Sequence, residues 1–535
     1  MKASGVVLFF WAALAWAADC NRTATRFFPL DYPFQISRYA GESLGLYPNG
    51  ANKRPAAHEA AGLRLAAEVQ PRNASGAVDA QNGRIVLLAI GMSNTTQEFS
   101  AFQPLANRDP EKNPAVLLVD GAQGGWSADR IVAAGGEQYW TGVDTRLSAA
   151  GATAAQVQVV WMKQADAGPT LPFPSDARKL QGELAAIART LRARFPNLRL
   201  LYLSSRTYAG YASTTLNPEP YAYQSGFAVR WLIEQQLSGD PALSYDAGQA
   251  PWLSWGPYLW VDGTQMRADG MAWNCSDFAD DGTHPAATGR EKVARLLLDF
   301  FKSDTTARTW FVRASAAPAA PSPAALVNAA GYLPQVAPGA IATLFGGELA
   351  GGTASAAYLP LPHTLAGTRV EIGGRPAPLF YASPGQINLL VPPGAADGTV
   401  EVFRGTRSAT LKVDLWNGTA LGIFTTDATG RGPAAALHAD GRPVTTADPA
   451  RPGEALMLFC TGLGVLDPRL ARPTVLPSVI VGGQPATILF VGQAPGFPGL
   501  DQINFVAPGT TPAGTVPVQI NSIPVLSNTA TLAVN

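Results

Sequence analysis

Charge is scarce in this 535-residue chain: only 15% of residues are Asp, Glu, Lys or Arg, and the two signs cancel at 39 each. No basic excess or charge block points to nucleic acid or a membrane surface. With 47% hydrophobic residues, the low charge does not mean global disorder. Histidines number four and cysteines three. Cys20, Cys275 and Cys460 lie too far apart for any metal-ligand spacing. No apolar run beyond the N-terminus is long enough to span a bilayer. The length exceeds what one hydrophobic core serves, so two or three domains are expected.

The N-terminus reads as an export signal over residues 1–17. Lys2 gives a positive start, Val6 to Leu14 form a short apolar run, and Ala15-Trp16-Ala17 is a small-x-small cleavage site. A secreted, extracellular protein is the expectation, with periplasm or cell surface as variants; Asp19 fits poorly before a lipidated Cys20. In an oxidising compartment Cys20 and Cys275 are a candidate disulfide, set against the reading that all three thiols are free. Cys460 follows the apolar run Leu456 to Phe459 and reads as a buried thiol.

One composition break divides the chain. Residues 313–325 are Pro/Ala-rich and read as a linker. Before it, over 18–312, short apolar runs alternate with helical periodicity. Arg84 to Ile90, Ala115 to Val119, Val157 to Trp161 and Leu198 to Leu203 fit strands buried on both faces. Ala56 to Val69, Ser175 to Phe195 and Ala286 to Phe301 fit helices. The pattern predicts an α/β domain, a parallel sheet sandwiched by helices. After the linker, short alternating runs between Gly- and Pro-rich turns predict an all-β region. It echoes itself. Val370-Glu-Ile-Gly-Gly-Arg-Pro-Ala377 and Gln386-Ile-Asn388 return as Val479-Ile-Val-Gly-Gly-Gln-Pro-Ala486 and Gln502-Ile-Asn504. Two related Ig-like modules follow, 326–415 and 416–535.

Open α/β sheets carry their sites at the carboxyl ends of strands. After the first strand comes Gly91-Met92-Ser93-Asn94, and after the second Gly125-Trp126-Ser127-Ala128. Trp161-Met-Lys-Gln164-Ala-Asp166 follows the third, and Asp281-Gly-Thr-His284-Pro285 precedes the last helix. Singly these are turn and cap chemistry. An Asp three residues before a His can hold one ring nitrogen and leave the other for a nucleophile.

In this order the four pieces resemble the SGNH-hydrolase superfamily (GDSL-type esterases), over roughly residues 83–301. Gly91-Met92-Ser93-Asn94 is closest to the Gly-x-Ser-Asn form of its carbohydrate acetylesterase branch. The resemblance implies a catalytic triad of Ser93, Asp281 and His284 and an oxyanion hole from the Ser93 and Gly125 amides with Gln164. It implies no metal or organic cofactor, and an acetylated carbohydrate or another ester as substrate. The third block departs from the family's Trp-x-Gln-Gly-Glu by one residue, so Lys163 competes with Gln164 for the donor position.

The β-rich part is similar to a C-terminal domain of large secreted proteins from certain soil bacteria. Val327-Asn-Ala-Ala-Gly-Tyr332, Ser383-Pro-Gly-Gln-Ile-Asn388 and Thr461-Gly-Leu-Gly464 carry that likeness. Contact with polysaccharide or a cell surface is the role it implies. The competing expectation for the whole chain is an inactive glycan-binding or adhesin-like surface protein.

Overall fold

The computed structural model describes residues 17–32, 37–313, 319–416, 418–464, 466–467, 472–473 and 475–535. The export signal lies almost wholly outside them, as does the middle of the Pro/Ala stretch. No described helix is long and apolar enough to cross a membrane.

The first half is built on five parallel strands. In chain order they are β1 (Ile85–Gly91), β2 (Val116–Asp120), β3 (Val157–Lys163), β4 (Leu200–Ser204) and β5 (Trp252–Trp255). Their spatial order is 2-1-3-4-5. β1 and β3 are buried along their whole length, which is why they read as unbroken apolar runs. Six longer helices accompany the sheet: α1 (Ala56–Ala67), α2 (Ser93–Arg108), α3 (Glu137–Ala149), α4 (Ser175–Arg194), α5 (Tyr221–Leu237) and α6 (Ala287–Ser303). One contiguous core runs from Leu30 to Phe311. The chain leaves β1 toward β2 on one side and reaches β3 on the other, so a crevice opens between the carboxyl ends of β1 and β3.

The second half is all antiparallel strands around two separate cores, Leu326 to Val402 and Leu421 to Val534. In the first, Gln386–Leu390 lies between Ile341–Gly347 and Leu379–Ala382. In the second, Asp501–Val506 lies between Ala455–Thr461 and Thr487–Gln493. Both pairings carry a register shift at the same place, Leu379/Tyr381 and Ile488/Phe490. The echoed Gly-Gly pairs have φ of 55° and 61° at Gly373 and Gly374, and 57° and 81° at Gly482 and Gly483. Two consecutive positive φ values make the tight hairpin whose twist matches its strands, and glycine takes them without strain. One boundary is corrected. Ser322–Asn328 form a strand paired with Ile341–Gly347, so the segment read as linker to 325 gives its last residues to the first β core.

The halves are fastened together. His363 Nδ1 sits 2.7 Å from Asp299 Oδ2 on α6, and the Lys53 ammonium donates to the Gly373 carbonyl at 2.9 Å. The Leu361 amide donates to the Asp269 carbonyl at 2.7 Å.

Candidate active site

Ser93 opens α2 directly after β1, so its side chain rises at the crevice between β1 and β3. Its Oγ lies 2.8 Å from His284 Nε2. The other ring nitrogen, Nδ1, lies 2.5 Å from Asp281 Oδ2. Ser93 and the Asp281–His284 turn, 191 residues away, thus form one hydrogen-bonded series. His284 and Asp281 remain about a quarter exposed, at 26% and 27%, so solvent and substrate can reach them.

Local chemistry shapes the Asp281–His284 turn. Asp281 Oδ1 accepts from the Thr283 and His284 amides, both at 2.9 Å. Gly282 has φ of +64°, and a Cβ there would lie 2.0 Å from the Tyr211 carbonyl oxygen. Only glycine fits that conformation and that gap. The Asn94 side chain donates to the Thr283 carbonyl at 2.8 Å, tying the serine turn to the histidine turn. Burial would push the Asp281 carboxyl up. The hydrogen bonds from the His284 ring and from the His284 and Thr283 amides outweigh it and hold the carboxyl below its ordinary range.

The Cys20–Cys275 disulfide is present, with Cα atoms 5.4 Å apart, and Cys275 opens the short turn Cys275–Asp277 just before Asp281. The Asp19 amide also donates to the Tyr211 carbonyl at 2.9 Å. The N-terminal segment is thus stitched to the stretch that leads into Asp281 and His284. Cys460 is free and buried.

The glycine loop after β2 folds toward the serine. The Gln123 amide donates to the Gly91 carbonyl at 3.0 Å. A Cβ on Gly124 would lie 3.7 Å from the Ser93 Cβ, whereas one on Gly125 would meet only Arg130. Gly124, which the sequence reading did not single out, is therefore the loop residue nearest the serine. The signal was there, in two adjacent glycines. Neither amide finds an acceptor among the described residues.

The third block divides its labour. Lys163 turns inward, and its ammonium lies 2.5 Å from Glu98 Oε1, with both side chains fully buried. Burial outweighs Glu98 and pushes Lys163 down to about 8. Gln164 Nε2 donates to the Trp126 carbonyl at 2.8 Å, and Oε1 accepts from the Ala165 amide. Gln164 thus fastens the glycine loop and keeps one amide hydrogen uncommitted.

Two of the three remaining histidines also meet acids. His438 Nδ1 meets Glu454 at 2.6 Å, His363 meets Asp299, and His58 bonds the Leu253 carbonyl. A carboxylate partner alone does not single out His284; a serine on its second nitrogen does. No group of His, Cys, Asp and Glu among the described residues is arranged to hold a metal ion.

No family model matches the chain, and no curated protein matches it. Among solved structures it is similar to a gut microbial diltiazem-metabolizing enzyme at 12% identity, over 51% of this chain and 59% of that one, with a TM-score of 0.25. A Bacteroides ovatus mixed-linkage glucan utilization locus protein, solved with a mixed-linkage heptasaccharide, shares 13% identity over 38% of this chain and 42% of that one (TM-score 0.19). A tandem of titin Ig domains shares 11% identity over 38% of this chain and 90% of that one (TM-score 0.14). The chain covers less than two thirds of the length of the first two, and likeness this weak assigns neither fold family nor activity.

Proposed function

We propose that this chain is a secreted serine esterase of the SGNH type that removes O-acetyl groups from carbohydrate. The observation that carries the reading is the unbroken series Ser93–His284–Asp281 at the crevice of the parallel sheet. The motif order and the Gly-x-Ser-Asn start support the superfamily and the substrate class. The Cys20–Cys275 bridge supports an oxidising, extracytoplasmic location.

In this reading Ser93 Oγ attacks the ester carbonyl carbon while its proton passes to His284 Nε2. Asp281 keeps the other ring proton on Nδ1 and balances the imidazolium. The oxyanion is met by the Ser93 amide at the start of α2, by the Gly125 amide with that of neighbouring Gly124, and by the uncommitted hydrogen of Gln164. His284 returns its proton to the departing sugar oxygen. A water, deprotonated by the same nitrogen, then attacks the acyl carbonyl, and acetate leaves with Ser93 restored.

Hydrolysis of p-nitrophenyl acetate and of acetylated xylan by wild type and Ser93→Ala tests this. The expected result is a loss of at least about 10³-fold in the variant, and lower kcat/KM on longer acyl chains. Equal, slow hydrolysis by both proteins overturns the esterase reading; a preference for long chains overturns the acetyl specificity. One observation favours the competing reading of an inactive glycan binder: Gln164 already has a protein partner in Trp126. The same assay decides between them.

A further inference from the structure

A cavity of about 1060 Å³ lies between the α/β half and both β cores. Its walls include Asp31 and Tyr258 from the first half, Arg375 and Leu390 from the first β core, and Gln493 and Asp501 from the second. It is not the triad crevice. Asp299, near the far end of α6, lines it, whereas His284 precedes the start of that helix. Ala287 and Asp299 are separated by about 18 Å of helix at 1.5 Å per residue. We propose that this cleft is a second ligand site, for an uncharged oligosaccharide. The proposal does not rest on the esterase reading, since it uses neither Ser93 nor His284.

Three features argue for a ligand. First, the cleft is preformed. The His363–Asp299, Lys53–Gly373 and Leu361–Asp269 contacts hold its walls together. Its volume lies at the upper end of ordinary ligand clefts, about 300–1,000 Å³, which interdomain boundaries favour.

Second, each of the three units contributes a charged or ionisable group without a close ion pair among the described residues. Arg375 has no ion pair among the described residues, and the only opposite charge it feels is Asp31. Asp31 reaches Arg267 only at 3.6 Å. Asp501 is 5% exposed and accepts from the Leu463 amide at 3.0 Å and from the Gly462 amide, with no ion pair among the described residues. Burial pushes its carboxyl up to about 8, so at neutral pH it keeps a proton and can both donate and accept. In the internal echo, Gly385 stands where the second unit has Asp501, so the shared β framework does not require an acid there. Arg375 and Asp31 reach the cleft part-exposed and so can meet a ligand's hydroxyls.

Third, rings stand beside these groups. Phe27, Phe28 and Tyr32 line the same cleft, half-buried, with the Phe28 and Tyr32 centroids 4.8 Å apart. A sugar offers hydroxyls that serve donors and acceptors alike, and C–H faces that pack on rings. The wall charges are mixed, with Asp31 and Asp269 set among Arg26, Lys53 and Arg375, so a polyanion would meet carboxylates as well as cations. A purely apolar ligand would leave Arg375 facing it without a partner.

The test is calorimetric titration of full-length Ser93→Ala with cello-, xylo-, manno- and maltohexaose, and with oligogalacturonate as the charged control. At least one neutral oligosaccharide is expected to bind with Kd below about 1 mM. Arg375→Ala, on an exposed hairpin, and Phe28→Ala, in a different unit, are each expected to weaken that binding at least about tenfold. With Ser93 intact, Arg375→Ala leaves p-nitrophenyl acetate hydrolysis unchanged, so loss of sugar binding and loss of esterase activity are read separately. Thermal melting of each variant checks folding. No binding by any neutral member, equal binding by wild type and both variants, or tighter binding of oligogalacturonate each overturns the proposal.

Discussion

Replacing Lys163 with methionine separates the two side chains that compete for the third block. Lys163 and Glu98 form a fully buried pair, and the second carboxylate oxygen of Glu98 already lacks a partner among the described residues. At pH 7 the lysine, pushed down to about 8, is still mostly charged. Removing its ammonium strands a carboxylate in the core, at a cost of about 3–5 kcal/mol. For a domain of this size, that lowers Tm by about 6–20 °C. Arg206 is also buried and feels Glu98, so the loss falls toward the lower end. Replacing both members, as Lys163→Met with Glu98→Leu, removes the stranded charge and restores most of the stability. Gln164→Ala costs less, about 1–3 kcal/mol for the bonds to the Trp126 carbonyl and the Ala165 amide, and slows acetate hydrolysis by about 10²–10³-fold. The assay pairs circular-dichroism melting with initial rates. If Lys163→Met melts like wild type while losing rate as Gln164→Ala is expected to, the lysine is the donor and this account of the block is wrong.

Asp281→Asn is expected to lower kcat by about 10⁴-fold with little change in fold, because the amide holds the wrong imidazole tautomer; rates together with a melt check it. His363 has a pH signature. Burial alone would lower its pKa, but the Asp299 charge and hydrogen bond, with Asp269 behind them, outweigh burial and Arg267 and raise it. The stability it contributes is therefore complete below the ordinary imidazole range and is lost as pH climbs through the raised value. Wild type should lose Tm relative to His363→Gln across that rise; parallel curves would contradict the assignment. Cys20→Ser with Cys275→Ser opens a loop of 255 residues and should cost about 2–5 kcal/mol, read by denaturant unfolding. Cys460, whose thiol burial pushes well up, should resist iodoacetamide until the protein unfolds.

What was legible followed from local pattern. β1 and β3 were visible because both faces are buried, and α4 and α6 because each has one apolar face. α5 was not, because thirteen of its seventeen residues are buried and no periodicity survives. β5 is only four residues, two of them Trp, and gave no run to read. The meeting of Ser93, His284 and Asp281 was legible because the motifs are short and ordered, and the turn chemistry of Asp281 to His284 is local. The fate of Lys163 was not, since its partner Glu98 lies 65 residues away and only the packed core brings them together. Gly124 and Gly125 were indistinguishable on paper, as their φ values and neighbours are set by a loop. The proposed oligosaccharide cleft has no sequence signature because residues around three separate cores build it.

The joint between the halves has a mechanical corollary. Because α6 grips His363 through the same stretch of backbone that begins beside His284, the β half behaves as a mount rather than a leash. Anything anchored by that mount meets Ser93 at one fixed bearing. Lengthening the Pro/Ala stretch would leave that bearing unchanged.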